Sequence, residues 1–133
     1  MKKILVCGAG GFIGGHLVNR LKADGHWVRG VDLKYNEYGN GNADEFVIGD
    51  LTDPVVCRQV VEGGFDEVYQ LAADMGGAGY IFTGANDANV MQNSASINLN
   101  LLKSLMTKKM EKLQNVRIIY FFFNYQQKKT MKL

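Results

Sequence analysis

The stretch that decides the fold is ILVCGAGGFIGG, residues 4–15. Residues 4–7 are all apolar, and a short apolar run that stops at a glycine predicts a buried strand. After the glycine cluster, apolar residues recur with helical spacing, which predicts a helix with these side chains on one face: Phe12, Ile13, Leu17, Val18 and Leu21. The stretch therefore predicts a strand, a tight turn and a helix, in that order.

The same alternation continues along the rest of the chain. The apolar and helical patterns predict strands at residues 27–32, 46–48, 68–71 and 116–123, and helices at residues 54–60 and 87–111. Asp53 and Pro54 are typical of a helix N-cap and of the first helical position. Because strands that alternate with helices form parallel sheets, the predicted fold class is α/β, a doubly wound Rossmann-like sheet of about five strands.

Length and charge limit the organisation of the chain. Its 133 residues, 47% of them apolar, suffice for one domain with a core but not for two. The net charge is +2, yet residues 103–133 hold eight Lys or Arg residues against the single acid Glu111. We predict one domain over residues 1–120 and an atypical basic tail over residues 121–133. The aromatic side chains of this tail form one apolar run instead of alternating with charges, so no nucleic-acid partner is expected.

The cysteines and the hydropathy pattern bear on chemistry and location. Cys7 and Cys57 lie in apolar runs, fifty positions apart, so we predict two small buried side chains without a redox role. His16 and His26 have no partner at a metal-ligand spacing, and no metal site is expected. The apolar run at residues 4–7 is too short for a signal peptide, and no run is long enough to span a membrane. We expect a cytoplasmic protein with no membrane partner.

The glycine-rich turn is the first candidate binding site. The best three-glycine spacing is Gly8, Gly11 and Gly14, because the alternative G-x-G-x-x-G spacing would place Ile13 at its third glycine. Such a turn lets the backbone approach a diphosphate, and the helix start at Phe12 and Ile13 directs N–H groups at the anion. A turn that is merely tight is the alternative.

Asp32, at the end of the second predicted strand, is the second candidate. A carboxylate at this offset binds the diol of an adenosine ribose and repels a 2′-phosphate, so NAD is predicted in preference to NADP. Lys34, two positions later, leaves NADP open, and a solvated strand end is the alternative for Asp32.

Later strand ends supply the remaining cofactor candidates. Asp50 is placed to accept a hydrogen bond from the adenine amino group, with Leu51 beside the ring; a cap of the next helix is the alternative role for Asp50. Leu71, Ala72 and Ala73 end the fourth predicted strand, and they are small enough to let the cofactor pass.

With these motifs in place, the chain resembles the extended short-chain dehydrogenase/reductases, in particular the nucleotide-sugar epimerases and dehydratases. The sequence LAADMGGAGYI at residues 71–81 and INLNLL at residues 97–102 is most similar to the GDP-mannose 3,5-epimerase group. The resemblance covers residues 2–120. It implies an NAD-dependent isomerase that oxidises its sugar at C4, moves protons at C3 and C5 with a cysteine and a lysine, and then returns the hydride.

The resemblance also implies where the substrate lies. Met75, Gly76 and Gly77 would line the sugar side of a GDP-mannose-like nucleotide sugar, with a flexible surface loop as the alternative. Asn93 and Ser94 fall where the family helix faces the active site, although Ser94 replaces an expected asparagine.

The end of the sequence departs from the family. Tyr125 and Lys129 have the spacing of a catalytic pair, but too few residues follow to form the helix that would align them, so no catalytic residue is predicted. Three phenylalanines at residues 121–123 stand where the family has serines, and we interpret residues 121–133 as a frameshifted or truncated end. We expect an inactive chain that aggregates or pairs as a homodimer; a non-catalytic NAD-binding module and a product without function are the alternatives.

Overall fold

The structure, a computed structural model, describes residues 1–36, 42–74 and 84–107, and the backbone of residues 115–118. None of the helices within these residues is long and apolar enough to cross a membrane. The strands are β1 Lys3–Cys7, β2 Trp27–Asp32, β3 Glu45–Ile48, β4 Glu67–Gln70 and β5 Asn115–Ile118, and the helices are α1 Phe12–Ala23, α2 Pro54–Val60 and α3 Asp87–Thr107.

The strands form one parallel sheet in the order β3-β2-β1-β4-β5, with β1 at its centre. The chain moves outward from β1 through β2 to β3, and then returns to the other side of β1 to form β4 and β5. This reversal of direction creates a switch point between β1 and β4, where doubly wound proteins bind their ligands. The predicted fold class is confirmed.

Two apolar layers cover the sheet, one on each face. Along β1 the side chains alternate, so that Leu5 and Cys7 pack on the face that carries α2 and α3, and Ile4 and Val6 pack on the face that carries α1. Cys57 of α2 lies in the first layer, and both cysteines are buried and unpaired. The prediction of two small buried cysteines is confirmed.

The first turn of α1 differs from the prediction. Phe12 and Ile13 were expected on the apolar face of the helix, but they are 61% and 57% exposed, so this assignment was wrong. The buried positions of α1 include the side-chain-free Gly14 and Gly15, which bring this end of the helix close to the sheet. Because glycine has no apolar side chain, a hydrophobicity pattern does not identify Gly14 and Gly15 as buried contacts. The pattern therefore predicted Phe12 and Ile13 on the buried face of α1.

Several predictions fall outside the described residues. These are the substrate-side residues Met75, Gly76 and Gly77, the phenylalanine run at residues 121–123, and the pair Tyr125 and Lys129. The helix predicted over residues 87–111 is described as far as Thr107, and the strand predicted over residues 116–123 as far as Ile118.

Candidate nucleotide-binding site

The predicted cofactor residues lie along one edge of the sheet. Because all the strands are parallel, the segments that follow β1, β2, β3 and β4 leave the sheet at the same edge. These segments carry the glycine-rich turn, Asp32 at the end of β2, Asp50 after β3 and Ala72 after β4. The structure therefore groups residues that are up to 64 positions apart, from Gly8 to Ala72, at the edge where α/β sheets bind ligands.

Gly8 and Gly14 are required by the packing of the protein itself. Gly8 has a φ of +83°, and a Cβ on it would lie 2.8 Å from the backbone nitrogen of Ala72. A Cβ on Gly14 would lie 1.9 Å from the carbonyl oxygen of Gly8. Any side chain at these two positions would push α1 or the segment after β4 away from the turn.

Gly11 differs, because the residues that the structure describes leave room beside it. Among them, the nearest atom to a Cβ on Gly11 would be the Gly8 carbonyl oxygen at 3.5 Å, which is an ordinary contact. Gly11 is the N-cap of α1 and supplies no side-chain hydrogen bond to the helix. The space and the backbone N–H groups at this helix start suit an anionic group that approaches the backbone closely.

Asp32 is held against the glycine-rich turn. One of its carboxylate oxygens, Oδ2, accepts a hydrogen bond from the backbone N–H of Gly10 at 2.9 Å, and Oδ1 accepts one from Leu33 at 2.7 Å. Each carboxylate oxygen has a second lone pair, so the fixed carboxylate retains the capacity to bind a diol. The geometry fits the ribose-binding role predicted for Asp32.

Gly10 is a site residue that the three-glycine reading left out. A Cβ on Gly10 would lie 2.3 Å from the carbonyl oxygen of Lys34 and 2.9 Å from Cγ of Asp32. The absence of a side chain at Gly10 therefore lets Asp32 reach the turn. The signal was present in the sequence, since five of the eight residues from Gly8 to Gly15 are glycine.

Asn36 is a second residue that sequence reasoning missed. Its side-chain Nδ2 donates to the carbonyl oxygens of Gly11 at 3.2 Å and Ala9 at 3.4 Å. A Cβ on Gly15 would lie 1.8 Å from this Nδ2, so Gly15 provides the space that Asn36 occupies. No sequence pattern indicates this contact, because a loop residue and a helix residue meet only after the chain has folded.

In the segment after β3, the cap of helix α2 is Asp53 and not Asp50, for which a capping role was the alternative. Asp53 is the N-cap of α2 and accepts a hydrogen bond from the N–H of Val55, as predicted for it. Asp50 instead accepts two hydrogen bonds from Thr52, from N–H at 2.8 Å and from Oγ1 at 2.7 Å. The side chain of Leu51 is only 3% exposed and packs in the apolar core, which anchors the segment after β3 to the domain.

The segment after β4 is tied to α3 by polar side chains. Gln70 is 2% exposed, and its amide accepts from the N–H of Ala72 and donates to the Ala72 carbonyl and to Asn98 of α3. Asp74 accepts a hydrogen bond from Asn93 at 2.8 Å, and its N–H donates to Ser94 at 3.2 Å. Asn93 and Ser94 thus bond to the segment after β4, and their position facing the active site stays a prediction. Gln70 and Asn98 were not predicted from the sequence.

Neither described cysteine suits acid–base chemistry. Burial, together with the charges of Cys57 and Asp32, raises the pKa of Cys7 far above its usual range. Burial, together with the charges of Asp53 and Asp50, raises the pKa of Cys57 to about 11. Both thiols therefore stay protonated near neutral pH. No cluster of three or more His, Cys, Asp or Glu side chains that could hold a metal occurs among the described residues.

A parallel sheet with a glycine-rich turn after β1 and an acidic residue at the end of β2 defines a dinucleotide-binding domain. The chain belongs to the NAD dependent epimerase/dehydratase family, whose model matches residues 4–120. This family agrees with the resemblance seen in the sequence, and its cofactor is the NAD predicted from Asp32 and the glycine-rich turn.

Individual relatives support the same assignment. The chain is 42% identical over 104 residues to GDP-mannose 3,5-epimerase from Arabidopsis thaliana, a match that covers 77% of this chain and 27% of that enzyme. A UDP-glucose 4-epimerase from Thermotoga maritima, solved with UDP-glucose, has a TM-score of 0.68 and 27% identity over 81% of this chain and 35% of its own.

A further solved structure adds a cofactor. A short-chain dehydrogenase/reductase superfamily protein from Agrobacterium tumefaciens, solved with bound NAD, has a TM-score of 0.61 and 28% identity over 77% of this chain and 28% of its own. The chain thus spans about a quarter to a third of the length of these relatives.

Proposed function

We propose that this chain is the NAD-binding part of a nucleotide-sugar epimerase that acts on a GDP-mannose-like substrate through transient oxidation at C4. The observation that carries the proposal is the placement of Asp32, whose carboxylate is held 2.9 Å from the Gly10 nitrogen. This carboxylate lies next to the start of helix α1 at Gly11, where no side chain caps the helix. The 42% identity to a GDP-mannose 3,5-epimerase supports this substrate class over other nucleotide sugars.

Each part of the site has a proposed task. Gly11 and the first turn of α1 bind the cofactor diphosphate, Asp32 binds the adenosine ribose diol, and Asp50 binds the adenine amino group. Leu71, Ala72 and Ala73 form the wall along which the cofactor crosses β4, and the proposed role of Met75, Gly76 and Gly77 is to contact the sugar. Bound NAD supplies a reversible hydride acceptor, while these residues hold and orient it.

We propose that the chain by itself binds NAD without epimerising a sugar. The two described cysteines are buried and protonated, so neither can exchange a proton at C3 or C5 of a substrate. The match to the GDP-mannose 3,5-epimerase also covers only 27% of that enzyme. Residues 1–120 would then act as the NAD-binding domain, with a homodimer in the cytoplasm as the proposed assembly and location.

Calorimetric titration of the purified chain tests NAD binding. We expect NAD to bind and NADP to bind more weakly, because Asp32 repels a 2′-phosphate. Absence of NAD binding would refute the proposal.

An assay with GDP-mannose tests the second part of the proposal. We expect no 3,5-epimerisation by this chain, measured by NMR exchange of the C3 and C5 protons with deuterated solvent. Measurable exchange at these positions would show that residues outside the described set supply the catalytic groups.

A further inference from the structure

Gln70 connects three structural elements at the switch point of the sheet. It is the last residue of β4, it is 2% exposed, and both its amide oxygen and its amide nitrogen bond to other protein groups. Its Oε1 accepts from the N–H of Ala72 at 3.2 Å, while Nε2 donates to the Ala72 carbonyl at 2.7 Å and to Oδ1 of Asn98 at 3.0 Å. One side chain therefore fixes both polar groups of Ala72 and links them to α3.

Ala72 in turn lies directly against the glycine-rich turn. A Cβ on Gly8 would lie 2.8 Å from the Ala72 nitrogen and 2.9 Å from the Leu71 carbonyl carbon. The N–H of Leu71 also donates to the carbonyl of Cys7 at 3.0 Å, which keeps the end of β4 beside the end of β1. Because these backbones are so close, the position of Ala72 determines how near the segment after β4 lies to the glycine-rich turn.

A second contact holds the other end of the same segment. Asp74 is bound to Asn93 and Ser94, one turn of α3 closer to its start than Asn98. The segment from Leu71 to Asp74 is thus attached to α3 at two points, and Gln70 is the buried side chain among these contacts.

We propose that Gln70, through its bonds to Ala72 and Asn98, is a positioning residue for the half of NAD that crosses to the β4 side of the switch point. This inference rests on the proposed NAD-binding function. In doubly wound folds the two halves of a dinucleotide lie on opposite sides of that point. Asp32 and Asp50 lie on the β2 and β3 side, so they serve the adenosine half, whereas Gln70 shapes the wall for the nicotinamide half.

The two halves of the cofactor give a direct test. ADP contains the adenosine half and the diphosphate, and NAD adds the ribose and nicotinamide of the second half. A residue that positions only the β4 side should alter the affinity for NAD and leave the affinity for ADP unchanged. A residue that merely stabilises the fold would change both affinities by the same factor.

The experiment compares Q70L and N98A with the unaltered chain by calorimetric titration with NAD and with ADP. Leu has a similar volume to Gln but cannot bond to Ala72 or Asn98. We expect Q70L to weaken NAD binding about tenfold, a factor equivalent to about 1.4 kcal/mol, with ADP binding within about twofold of the unaltered chain. N98A should weaken NAD less, and the double variant should be no weaker than Q70L because both changes remove the same link.

S104A is the matched control, because Ser104 of α3 makes a local bond to the Asn100 carbonyl and lies away from the Gln70 link. It should leave both affinities unchanged. Unaltered NAD binding in Q70L, or an equal loss of NAD and ADP binding, would overturn the inference and leave the proposed function intact. If Q70L does not unfold cooperatively, N98A decides by the same criteria. An unaltered chain that binds neither nucleotide would reject the proposed function and the inference together.

Discussion

Individual glycines of the turn serve two distinct purposes. Gly14 is needed because helix α1 packs on the turn so closely that a Cβ would meet the Gly8 carbonyl oxygen at 1.9 Å. A Cβ on Gly11 would have its nearest described neighbour at 3.5 Å, so the described part of the protein does not require a glycine there. The requirement at Gly11 comes instead from the ligand that the turn is proposed to bind.

This difference predicts opposite effects for two alanine substitutions. G14A should lower the melting temperature by about 10 °C, because the backbone must shift to admit the methyl group, at a cost of about 2 kcal/mol. G11A should melt close to the unaltered chain but bind NAD at least about tenfold more weakly, since its methyl group enters the space for the diphosphate. Thermal unfolding and calorimetry measure the two effects. A stable G14A variant, or tight NAD binding by G11A, would contradict this division.

Asp32 acts through its charge, and its neutral analogue separates charge from shape. D32N keeps an oxygen acceptor but loses the charge-assisted bond to the ribose diol, so NAD binding should weaken about tenfold. NADP should gain relative to NAD, because the repulsion of its 2′-phosphate is removed. The measurement is the ratio of the two dissociation constants.

D24N is the matched control for D32N. Asp24 follows α1 at its opposite end and forms an exposed ion pair with Arg20 at 2.9 Å. The NAD to NADP ratio should stay constant in D24N. An unchanged ratio in D32N would remove the basis for assigning NAD through this carboxylate.

At the scale of elements, each helix is positioned by its ends as well as by its apolar face. Helix α2 starts with Asp53 as N-cap and Pro54 in its first turn, and both follow from local rules. Helix α3 is attached to the sheet edge through Asn93, Ser94 and Asn98, which no local rule specifies. Helix starts are therefore readable from the sequence, whereas their attachments to the site are not.

The cap of α2 gives a prediction for an element. D53A removes the hydrogen bond to Val55, which is 2.7 Å long, and should reduce the free energy of unfolding by about 1 kcal/mol. D53N should retain most of the stability, because asparagine caps helices about as well as aspartate. Urea unfolding curves measure both variants. Equal losses in D53A and D53N would show that charge, and not the capping bond, stabilises this helix start.

At the scale of the whole molecule, the fold is held by two apolar layers around a central strand. Cys7 of β1 and Cys57 of α2 lie in the same layer, 0% exposed, and the layer also receives Ile97 and Leu101 of α3. The two thiols therefore lie in an apolar layer to which β1, β2, α2, β4 and α3 all contribute. Their exposure requires a large part of the domain to open.

The two thiols therefore report on opening of the whole domain. Burial raises the pKa of Cys57 to about 11 and that of Cys7 further. At pH 8, therefore, about one in a thousand or fewer of the molecules has either cysteine as a thiolate. We expect very slow alkylation by iodoacetamide in the folded chain, rapid alkylation in urea, and a further slowing when NAD is added, since the ligand stabilises the closed form. Mass spectrometry follows both sites. Fast labelling of Cys7 without urea would contradict the central position of β1.

The sequence by itself determined the fold class, the bounds of most elements, the cap at Asp53 and the candidates at the strand ends. These features depend on residues close together in the chain, such as an apolar run that stops at a glycine, and local patterns record them directly. The family resemblance followed from the same motifs.

Only the tertiary structure decided which groups act together. In the folded chain Phe12 and Ile13 are exposed, and the Gly10 N–H donates a hydrogen bond to Asp32. Asn36 occupies the space beside Gly15, and Gln70 donates a hydrogen bond to Asn98. The last three contacts join residues at least 21 positions apart, and each depends on how closely two backbones approach. Sequence patterns give the spacing of side chains along one element, but the distance between elements is set by packing of the whole sheet and its helices.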